Sequence, residues 1–366
     1  MTQGIRVLAD DLSGALDTAV CFTGHTDSLL VTRGQPAVAA FANSTGARDL
    51  SDTAAAEIFM NCLPWLLTAR RPFHKIDSRL RGHAAREIAA IHRIAPERAI
   101  VIAPALPAQG RIVRSGCVMS RAGPGEAWMR EPTLLASELA ALGLDVKARS
   151  PDAVSTPQGI SLWDAETDHD LERIATIAVS RPDVILCGSS GVASALARVL
   201  HIPPPRTHTS FQRPKLLIAG TAHPQTIRQI AHLDATAAGM HVEVATDGAG
   251  FENVATAIAR GDSRLITPLL PVHSTGSDIS ERIEAWLARA ARCLPRPGSL
   301  FVTGGETLDI LTGALSADGL LVAGQFADGA PASRFRAGRW NGLDVISKSG
   351  GFGPVDLISK FLLDAF

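Results

Sequence analysis

The fold is indicated first by the stretch GIRVLADDLSGA, residues 4–15. Its apolar first half, residues 4–9, predicts a buried strand. The strand ends at Asp10 and Asp11, and a helical pattern begins at Ala15. The same order, in which an apolar strand is followed by a polar or glycine-rich turn and then by a helix, recurs along the chain. It predicts an α/β protein whose mostly parallel sheets are flanked by helices.

A proline-rich segment interrupts this alternation and predicts two domains. Residues 203–205 are three consecutive prolines in a polar stretch, which cannot form a helix or a central strand. We therefore predict a linker at 203–213 between a first domain at 1–202 and a second domain at 214–366. A length of 366 residues is compatible with two domains.

Composition and charge exclude several classes of partner. The 35 basic and 36 acidic side chains give a formal net charge of -1, so neither a nucleic acid nor a membrane is expected as a partner. No apolar run reaches the ~18 residues of a membrane helix, and the first residues lack the pattern of a secretory signal. The five cysteines are far apart and form no paired motif, which favours free thiols in the cytoplasm.

Polar or glycine-rich clusters follow most of the predicted strands. In open parallel sheets ligands bind at the carboxyl ends of strands, so these clusters are the candidate site. The first cluster contains Asp10 and Asp11, which suit a general base, a metal ligand or an acceptor for sugar hydroxyls. The alternative is that Asp11 or Ser13 caps the following helix.

The second cluster is the turn KIDSRLRGH, residues 75–83, which combines Lys75, Arg79 and Arg81 with Asp77. So many cations suit an acidic small substrate, because Arg binds a carboxylate through two hydrogen bonds and Lys supplies a point charge. The alternative is a solvated loop with an internal Lys–Asp or Arg–Asp pair.

Three weaker turns follow other strands. The loop APALPAQGR, residues 103–111, presents Gln109 and Arg111 as donors but is also compatible with an ordinary rigid turn. The small-residue turns at 187–191 and 220–223 would expose backbone amides at a helix start, which attracts anions. Structural turns of the same composition are common, so neither turn is specific alone.

Two glycine pairs in the second half form the strongest cluster. The segments TGGET at 303–307 and KSGGFG at 348–353 each follow a predicted strand. Glycines there would let phosphate oxygens approach the backbone, and Lys348 would neutralise their charge. The P-loop pattern and the dinucleotide fingerprint are both missing from the sequence. Phosphate binding of another type is therefore predicted, and a dehydrogenase is disfavoured.

Taken together and in this order, the clusters resemble the four-carbon acid sugar kinase family, and the resemblance covers nearly the whole chain. The segments that carry it are ADDLSGA at 9–15, KIDS and LRG within 75–82, APALPAQGR at 103–111, GGET at 304–307 and KSGGFG at 348–353.

The resemblance implies a sugar-acid-binding first domain, a nucleotide-binding second domain and an active site in the cleft between them. It implies that ATP, with Mg²⁺, phosphorylates a terminal hydroxyl of a tetronate or 3-oxo-tetronate.

The resemblance also implies roles for residues of both domains. The base or magnesium-holding residue would be Asp10, Asp11 or Asp77. The sugar acid would contact Ser13, Lys75, Arg79, Arg81, Gly82, Gln109 and Arg111. The nucleotide would contact Thr221, His223, Gly304, Gly305, Glu306, Thr307, Lys348, Gly350 and Gly351.

The chain departs from the family pattern in several places, one of which is Leu106, where Phe is usual. Arg79 stands where the family usually has Thr, and Thr221 and His223 occupy a turn that usually carries serines. The alternative hypothesis is therefore a non-catalytic protein of the same fold that binds a sugar acid or a nucleotide. The histidines and cysteines predict no zinc site. The magnesium ligands stay unassigned, and a homo-oligomer is compatible with the sequence.

Overall fold

The computed structural model describes residues 4–121, 123, 125–270 and 276–364. The chain divides into two compact units, Met1–Pro205 and Arg206–Phe366, and the division falls inside the segment 203–213. Each unit is built on a mostly parallel sheet flanked by helices, which confirms the predicted fold class. In the described part of the chain, no helix combines the length and the apolarity that spanning a membrane requires.

The first unit is an open parallel sheet with one small additional sheet. Its strands are β1 (Ile5–Ala9), β2 (Leu29–Arg33), β3 (Ala42–Ser44), β4 (Arg71–Lys75), β5 (Ala99–Ala103), β6 (Arg111–Arg114), β7 (Cys117–Ser120), β8 (Met129–Arg130), β9 (Val146–Arg149), β10 (Ile160–Trp163) and β11 (Val184–Gly188). Its helices are α1 (Leu12–Val20), α2 (Asp52–Leu67), α3 (Ala84–Ile94), α4 (Leu135–Ala141), α5 (Asp168–Val179) and α6 (Ser190–Val199). The main sheet has the order β2-β3-β1-β4-β11-β5-β10-β9 with parallel neighbours, and β6, β7 and β8 form an antiparallel sheet.

The second unit also has a parallel sheet, extended by an antiparallel hairpin. Its strands are β12 (Lys215–Ala219), β13 (His241–Ala245), β14 (Arg264–Leu269), β15 (Ser299–Thr303), β16 (Gly319–Ala327), β17 (Ala330–Arg336) and β18 (Asp344–Lys348). Its helices are α7 (Pro224–Thr236), α8 (Phe251–Ala259), α9 (Gly276–Cys293), α10 (Gly305–Ala314) and α11 (Leu357–Leu363). The order is β13-β14-β12-β15-β18-β17-β16, in which β17 is antiparallel to both of its neighbours.

Apolar strand residues and helix faces build the core of each unit. Every residue of β5, AIVIA, is buried, as expected for a central parallel strand covered on both faces. In the second unit Phe301 of β15 packs against Phe361 of α11 with ring centroids 5.3 Å apart. The backbone of residues 206–208 pairs with Gln325 of β16, and the segment from residue 206 onward belongs to the second unit.

Strand register places the polar clusters of each unit at one level. In the first unit Ala9 lies opposite both Ser44 and Lys75, and Gly188 lies opposite both Lys75 and Ala103. The chain leaves β1 toward β2 and leaves β4 toward β5, on opposite sides of this pair. The crevice at the ends of β1 and β4 is therefore a topological switch point, the place where open α/β sheets bind ligands.

The second unit has the same arrangement. Thr303 at the end of β15 lies opposite Ala219 of β12 on one side and Lys348 of β18 on the other. The chain leaves β12 toward β13 and leaves β15 toward β16, again in opposite directions. A second switch point therefore lies where the sequence places its glycine pairs.

Candidate functional site

Three of the predicted aspartates surround one arginine that the sequence analysis did not identify. Arg48 donates two hydrogen bonds to Asp10, from Nε and Nη2, each at 2.7 Å. Its Nη2 also donates to Oδ1 of Asp11 at 2.6 Å and lies 3.8 Å from Oδ2 of Asp77. We call Asp10, Asp11, Asp77 and Arg48 the aspartate cluster. Its acids converge on a guanidinium group.

Burial and charge act in opposite directions within this cluster. Burial raises the pKa of the Asp10 carboxyl to about 6, although the charge of Arg48 opposes the rise. Burial alone would lower the pKa of Arg48, but Asp11 and Asp10 outweigh it, and the pKa is raised. Asp11 also caps α1, because its Oδ1 accepts a hydrogen bond from the amide of Gly14 at 3.1 Å. The helix therefore begins at Leu12, and the predicted start at Ala15 is wrong by three residues.

Asp77 organises the turn that follows β4. Its Oδ1 accepts hydrogen bonds from the amides of Arg79 and Arg81, and its carboxylate binds the Arg81 guanidinium at 2.7 and 3.1 Å. Burial would raise the pKa of Asp77, but the hydrogen bond from Arg81 and the charge of Arg48 outweigh it and hold the pKa well below its usual range. The internal Arg–Asp pair considered from the sequence is therefore present. Gly82 packs against the cluster, since a Cβ there would stand 2.9 Å from Oδ2 of Asp10.

The predicted substrate residues do not all meet at one point. Arg79 is directed to Glu131, whose Oε1 accepts from its Nε at 2.8 Å. Arg111 joins the turn through Ser78, with Nη1 3.0 Å from Oγ. Gln109 lies in a short 3-10 turn of the loop before β6, and within the described residues its side chain makes no hydrogen bond to the cluster.

Lys75 is directed toward the first turn of helix α1. It is the last residue of β4 and is buried. A Cβ at position 14 would stand 2.5 Å from Oδ1 of Asp11 and 2.8 Å from Nζ of Lys75, so only glycine allows this close approach. Ser13, also predicted for the substrate, is buried in the first turn of α1 beside Gly14.

The predicted nucleotide residues come together at the ends of β12, β15 and β18. A Cβ at Gly350 would stand 3.0 Å from Oγ1 of Thr221 and 2.9 Å from Cβ of His223, and a Cβ at Gly351 would meet the His223 ring at 3.1 Å. Gly304 has φ 108°, and a Cβ there would stand 3.4 Å from Cβ of Thr221. We call Thr221, His223, Gly304, Gly350 and Gly351 the glycine cluster.

Helix starts border the glycine cluster. Helix α10 begins at Gly305, so Glu306 and Thr307 belong to its first turn. Thr307 is buried against Gly304, whereas Glu306 is exposed. His223 caps α7, since its Nδ1 accepts from the amide of Gln225 at 3.2 Å. Two helix N-termini are favourable surroundings for phosphate.

Lys348 lies beneath this cluster, and among the described residues no carboxylate pairs with it. Its Nζ donates to Oγ1 of Thr226 at 3.1 Å and to the carbonyls of Ser349 and Gly350 at 3.2 and 3.3 Å. Burial lowers the pKa of Lys348 to about 7. A buried ammonium surrounded by neutral oxygens gains most from an incoming anion.

Sequence reasoning missed residues of α7 that hold the glycine loop. Thr226 Oγ1 donates to the carbonyl of Gly350 at 2.8 Å. Gln225 donates to the carbonyl of Gly353 at 2.7 Å, and Gln229 donates to that of Pro354 at 2.8 Å. No sequence signal marks them, because they follow ordinary helical spacing. In the described part of the chain, no group of three or more His, Cys, Asp or Glu residues is arranged to hold a metal ion.

Comparisons with known proteins match the two halves separately. Residues 5–141 match the family model of a sugar-binding N-terminal domain, and residues 216–358 match that of a nucleotide-binding C-terminal domain.

Curated relatives match almost the whole chain. A D-threonate kinase of Salmonella typhimurium is 27% identical, and the match covers 95% of this chain and 95% of the relative. A D-threonate kinase of Bordetella bronchiseptica is 28% identical, and the match covers 97% of this chain and 96% of the relative. A 3-oxo-tetronate kinase of Methylobacterium radiotolerans is 26% identical over 99% of both chains. Solved structures from Salmonella typhimurium and Haemophilus influenzae share the fold, with TM-scores of 0.76 and 0.71 at 19% and 20% identity. They cover 97% and 99% of this chain and 98% and 100% of their own.

Proposed function

The chain belongs to the four-carbon acid sugar kinase family, and we propose that it transfers the γ-phosphoryl group of ATP to a terminal hydroxyl of a four-carbon sugar acid, a tetronate or a 3-oxo-tetronate. As a member of this family it is a carbohydrate kinase that phosphorylates an alcohol group of a small molecule. The identity of the acid and the use of ATP are part of the proposal.

The observation that carries the proposal is the glycine cluster above Lys348. Gly350 and Gly351 leave no room for side chains beside Thr221 and His223, and glycines at such a turn let phosphate oxygens approach the backbone closely. The acceptors of Lys348 in the described part of the chain are all neutral, and a triphosphate would supply the missing negative charge. The residues present therefore fit the polyphosphate of ATP.

Magnesium, when bound with the nucleotide, would neutralise the negative charge of the phosphates during transfer. Mg²⁺ commonly binds through substrate phosphates, waters and one or two carboxylates. Glu306 in the first turn of α10 is the acid nearest in sequence to Gly304 and Gly305. We propose that the phosphates hold most of the ion and that Glu306 contributes its carboxylate directly or through water.

The sugar acid would bind at the carboxyl edge of the first unit. Lys75 offers a buried ammonium group, and Arg111 and Arg81 add positive charge from the loop and the turn. Asp77 holds the amides of that turn, so its part in binding is to position Arg81. Phosphoryl transfer depends mainly on positioning and on charge neutralisation, and these groups supply both.

The test is magnesium-dependent ADP release from ATP by the purified protein with threonate, erythronate and 3-oxo-tetronate stereoisomers. Rapid release with one acid and not with its epimers supports the proposal and names the substrate. A melting temperature that ATP raises, without release for any acid, favours the non-catalytic binding protein. The nucleotide assignment is contradicted when ATP neither reacts nor raises the melting temperature.

A further inference from the structure

Helix α1 carries a carboxylate that none of the sequence motifs includes. Asp17 lies three residues beyond Gly14, and residues at this spacing share a helix face. Position 14 on that face is directed at Lys75, since a Cβ there would stand 2.8 Å from Nζ. The face that bears Asp17 is therefore turned toward Lys75 at the carboxyl edge of the sheet.

Asp17 differs from the predicted aspartates in its partners. Asp10 and Asp11 bind Arg48, and Asp77 binds Arg81. Within the residues that the structure describes, no donor forms a hydrogen bond with the Asp17 carboxylate and no cation forms an ion pair with it. Only its backbone carbonyl has a side-chain partner, the thiol of Cys21 at 3.4 Å.

Lys75 shows the same feature with the opposite charge. It is buried, yet among the described residues it has neither a hydrogen-bond acceptor nor a directly paired carboxylate. Buried charges are normally paired, because an unpaired charge in a protein interior is costly. The Asp17 carboxylate and the Lys75 ammonium group both lack direct partners among the described residues, and they lie on facing elements at one switch point. Both groups are therefore available to a ligand.

The charges around Asp17 suit a proton acceptor near neutral pH. Burial raises the pKa of Asp17 to about 7, and Lys75 on β4 opposes the rise. Asp11 at the start of α1 raises it further, whereas Arg111 of β6 and Arg48 after β3 lower it. Cys21 on the same helix stays a neutral thiol, because burial raises its pKa to about 12. A base that titrates near the working pH is the most effective one.

We propose that Asp17 is the general base of the kinase reaction and that Lys75 binds the oxygen of the same hydroxyl; the assignment rests on the proposed function. The hydroxyl oxygen of the sugar acid forms a bond to the γ-phosphorus while its O–H bond breaks, and the proton moves to the Asp17 carboxylate. The bond from the γ-phosphorus to the bridging oxygen breaks, and its electron pair leaves with ADP. Asp17 then returns the proton to water.

The first test compares Asp17→Asn, Asp17→Glu and Asp145→Asn with the unaltered chain. We expect D17N to lose about 10²–10⁴-fold in kcat while KM for ATP changes less than threefold, and D17E to recover part of the rate. Asp145 is exposed in the loop between α4 and β9, so D145N controls for removal of a carboxylate elsewhere in this unit.

The second test does not depend on activity. A partly buried acid whose pKa is raised on folding contributes stability below its unfolded pKa and loses it as the pH rises toward about 7. The melting temperature of D17N relative to the unaltered chain should therefore increase between pH 5 and pH 8, and that of D145N should not.

The two tests separate this inference from the proposed function. A chain that is active while D17N keeps its rate overturns the base assignment alone. A melting difference for D17N that is constant between pH 5 and pH 8 also overturns it. An unaltered chain that releases no ADP with any acid contradicts the proposed function, and the base assignment fails with it.

Discussion

The Nε atom of Arg79 donates a hydrogen bond to Oε1 of Glu131 at 2.8 Å, and the hydroxyl of Ser120 donates to the same oxygen. Ser120 ends β7 and Glu131 follows β8, so the small antiparallel sheet contacts the turn at 75–83 through this carboxylate. Burial would raise the pKa of Glu131, but the hydrogen bonds from Arg79 and Ser120 outweigh it, and the pKa is lowered. The pair fixes the direction of the Arg79 side chain, and its contact with the substrate stays a prediction.

Glu131→Gln should weaken sugar-acid binding without changing nucleotide binding. Arg79 is half exposed, so water screens the pair and we expect a loss of about 1 kcal/mol, which is about a fivefold rise in KM for the acid. Steady-state kinetics with each substrate varied in turn measures both constants. Glu166→Gln breaks a comparable but exposed pair with Arg114 and should change neither. An equal rise in KM for ATP would show that Glu131 acts on folding in general.

Arg48→Gln should destabilise the first unit strongly. It leaves Asp10, Asp11 and Asp77 without their shared guanidinium, and removing one partner of a buried ion pair costs about 3–5 kcal/mol in the free energy of unfolding. The loss should be smaller at pH 5 than at pH 8, since a raised pKa lets Asp10 take up a proton as the pH falls.

Urea unfolding at the two pH values measures this loss. Arg86→Gln is the control, because Arg86 pairs with Asp52 at the surface and such changes usually stay within about 0.5 kcal/mol. An R48Q deficit no larger than that of R86Q would mean that the aspartates do not depend on Arg48.

The sequence predicts the fold well because strand identity and site position follow from local pattern. Buried apolar runs such as residues 99–103 indicate parallel strands, and polar residues after such runs must lie at one edge of the sheet. Arg48 obeys the same rule, but the apolar run at residues 37–42 ends where β3 (Ala42–Ser44) begins. The local pattern therefore places the strand too early, and the polar segment before Arg48 does not stand out as a strand end.

Other features leave no local signal. Glu131 is 52 residues from Arg79, and only the folded position of the small sheet brings the two together. The antiparallel hairpin of β16 and β17 is likewise not predicted from the sequence. Asp17 reads as an ordinary polar position of α1 until its burial is known, because partner counts and desolvation exist only in the folded chain.

Nucleotide binding should weaken as the pH rises above about 7 because of Lys348. Burial lowers the pKa of Lys348 to about 7, so above that pH binding of a triphosphate must be accompanied by proton uptake. The dissociation constant of MgATP should then rise up to tenfold per pH unit between pH 7.5 and pH 9. Isothermal titration calorimetry in buffers of different ionisation enthalpy measures both the constant and the proton uptake.

Lys348→Met should remove this dependence and weaken binding at pH 6.5. Lys360→Met is the matched control, because Lys360 is partly exposed and pairs with Asp356 on α11. Proton uptake that persists in K348M would assign the titration to another group.

Gly350→Ala should impair nucleotide binding more than Gly351→Ala does. A Cβ at Gly350 would stand 2.9 Å from Cβ of His223 and 3.0 Å from Oγ1 of Thr221, atoms close to the backbone that cannot move without shifting the turn after β12. A Cβ at Gly351 meets only the tip of the His223 ring at 3.1 Å, and a χ rotation of that side chain can relieve the contact.

We expect about a tenfold rise in the MgATP dissociation constant for G350A and less than threefold for G351A, measured by calorimetry at pH 7. His223→Ala removes the ring but keeps Cβ, so it should make G351A indistinguishable from its background while leaving the G350A defect in place. Equal defects in the two glycine variants would mean that backbone exposure, and not the fit against the turn at 220–223, sets the affinity.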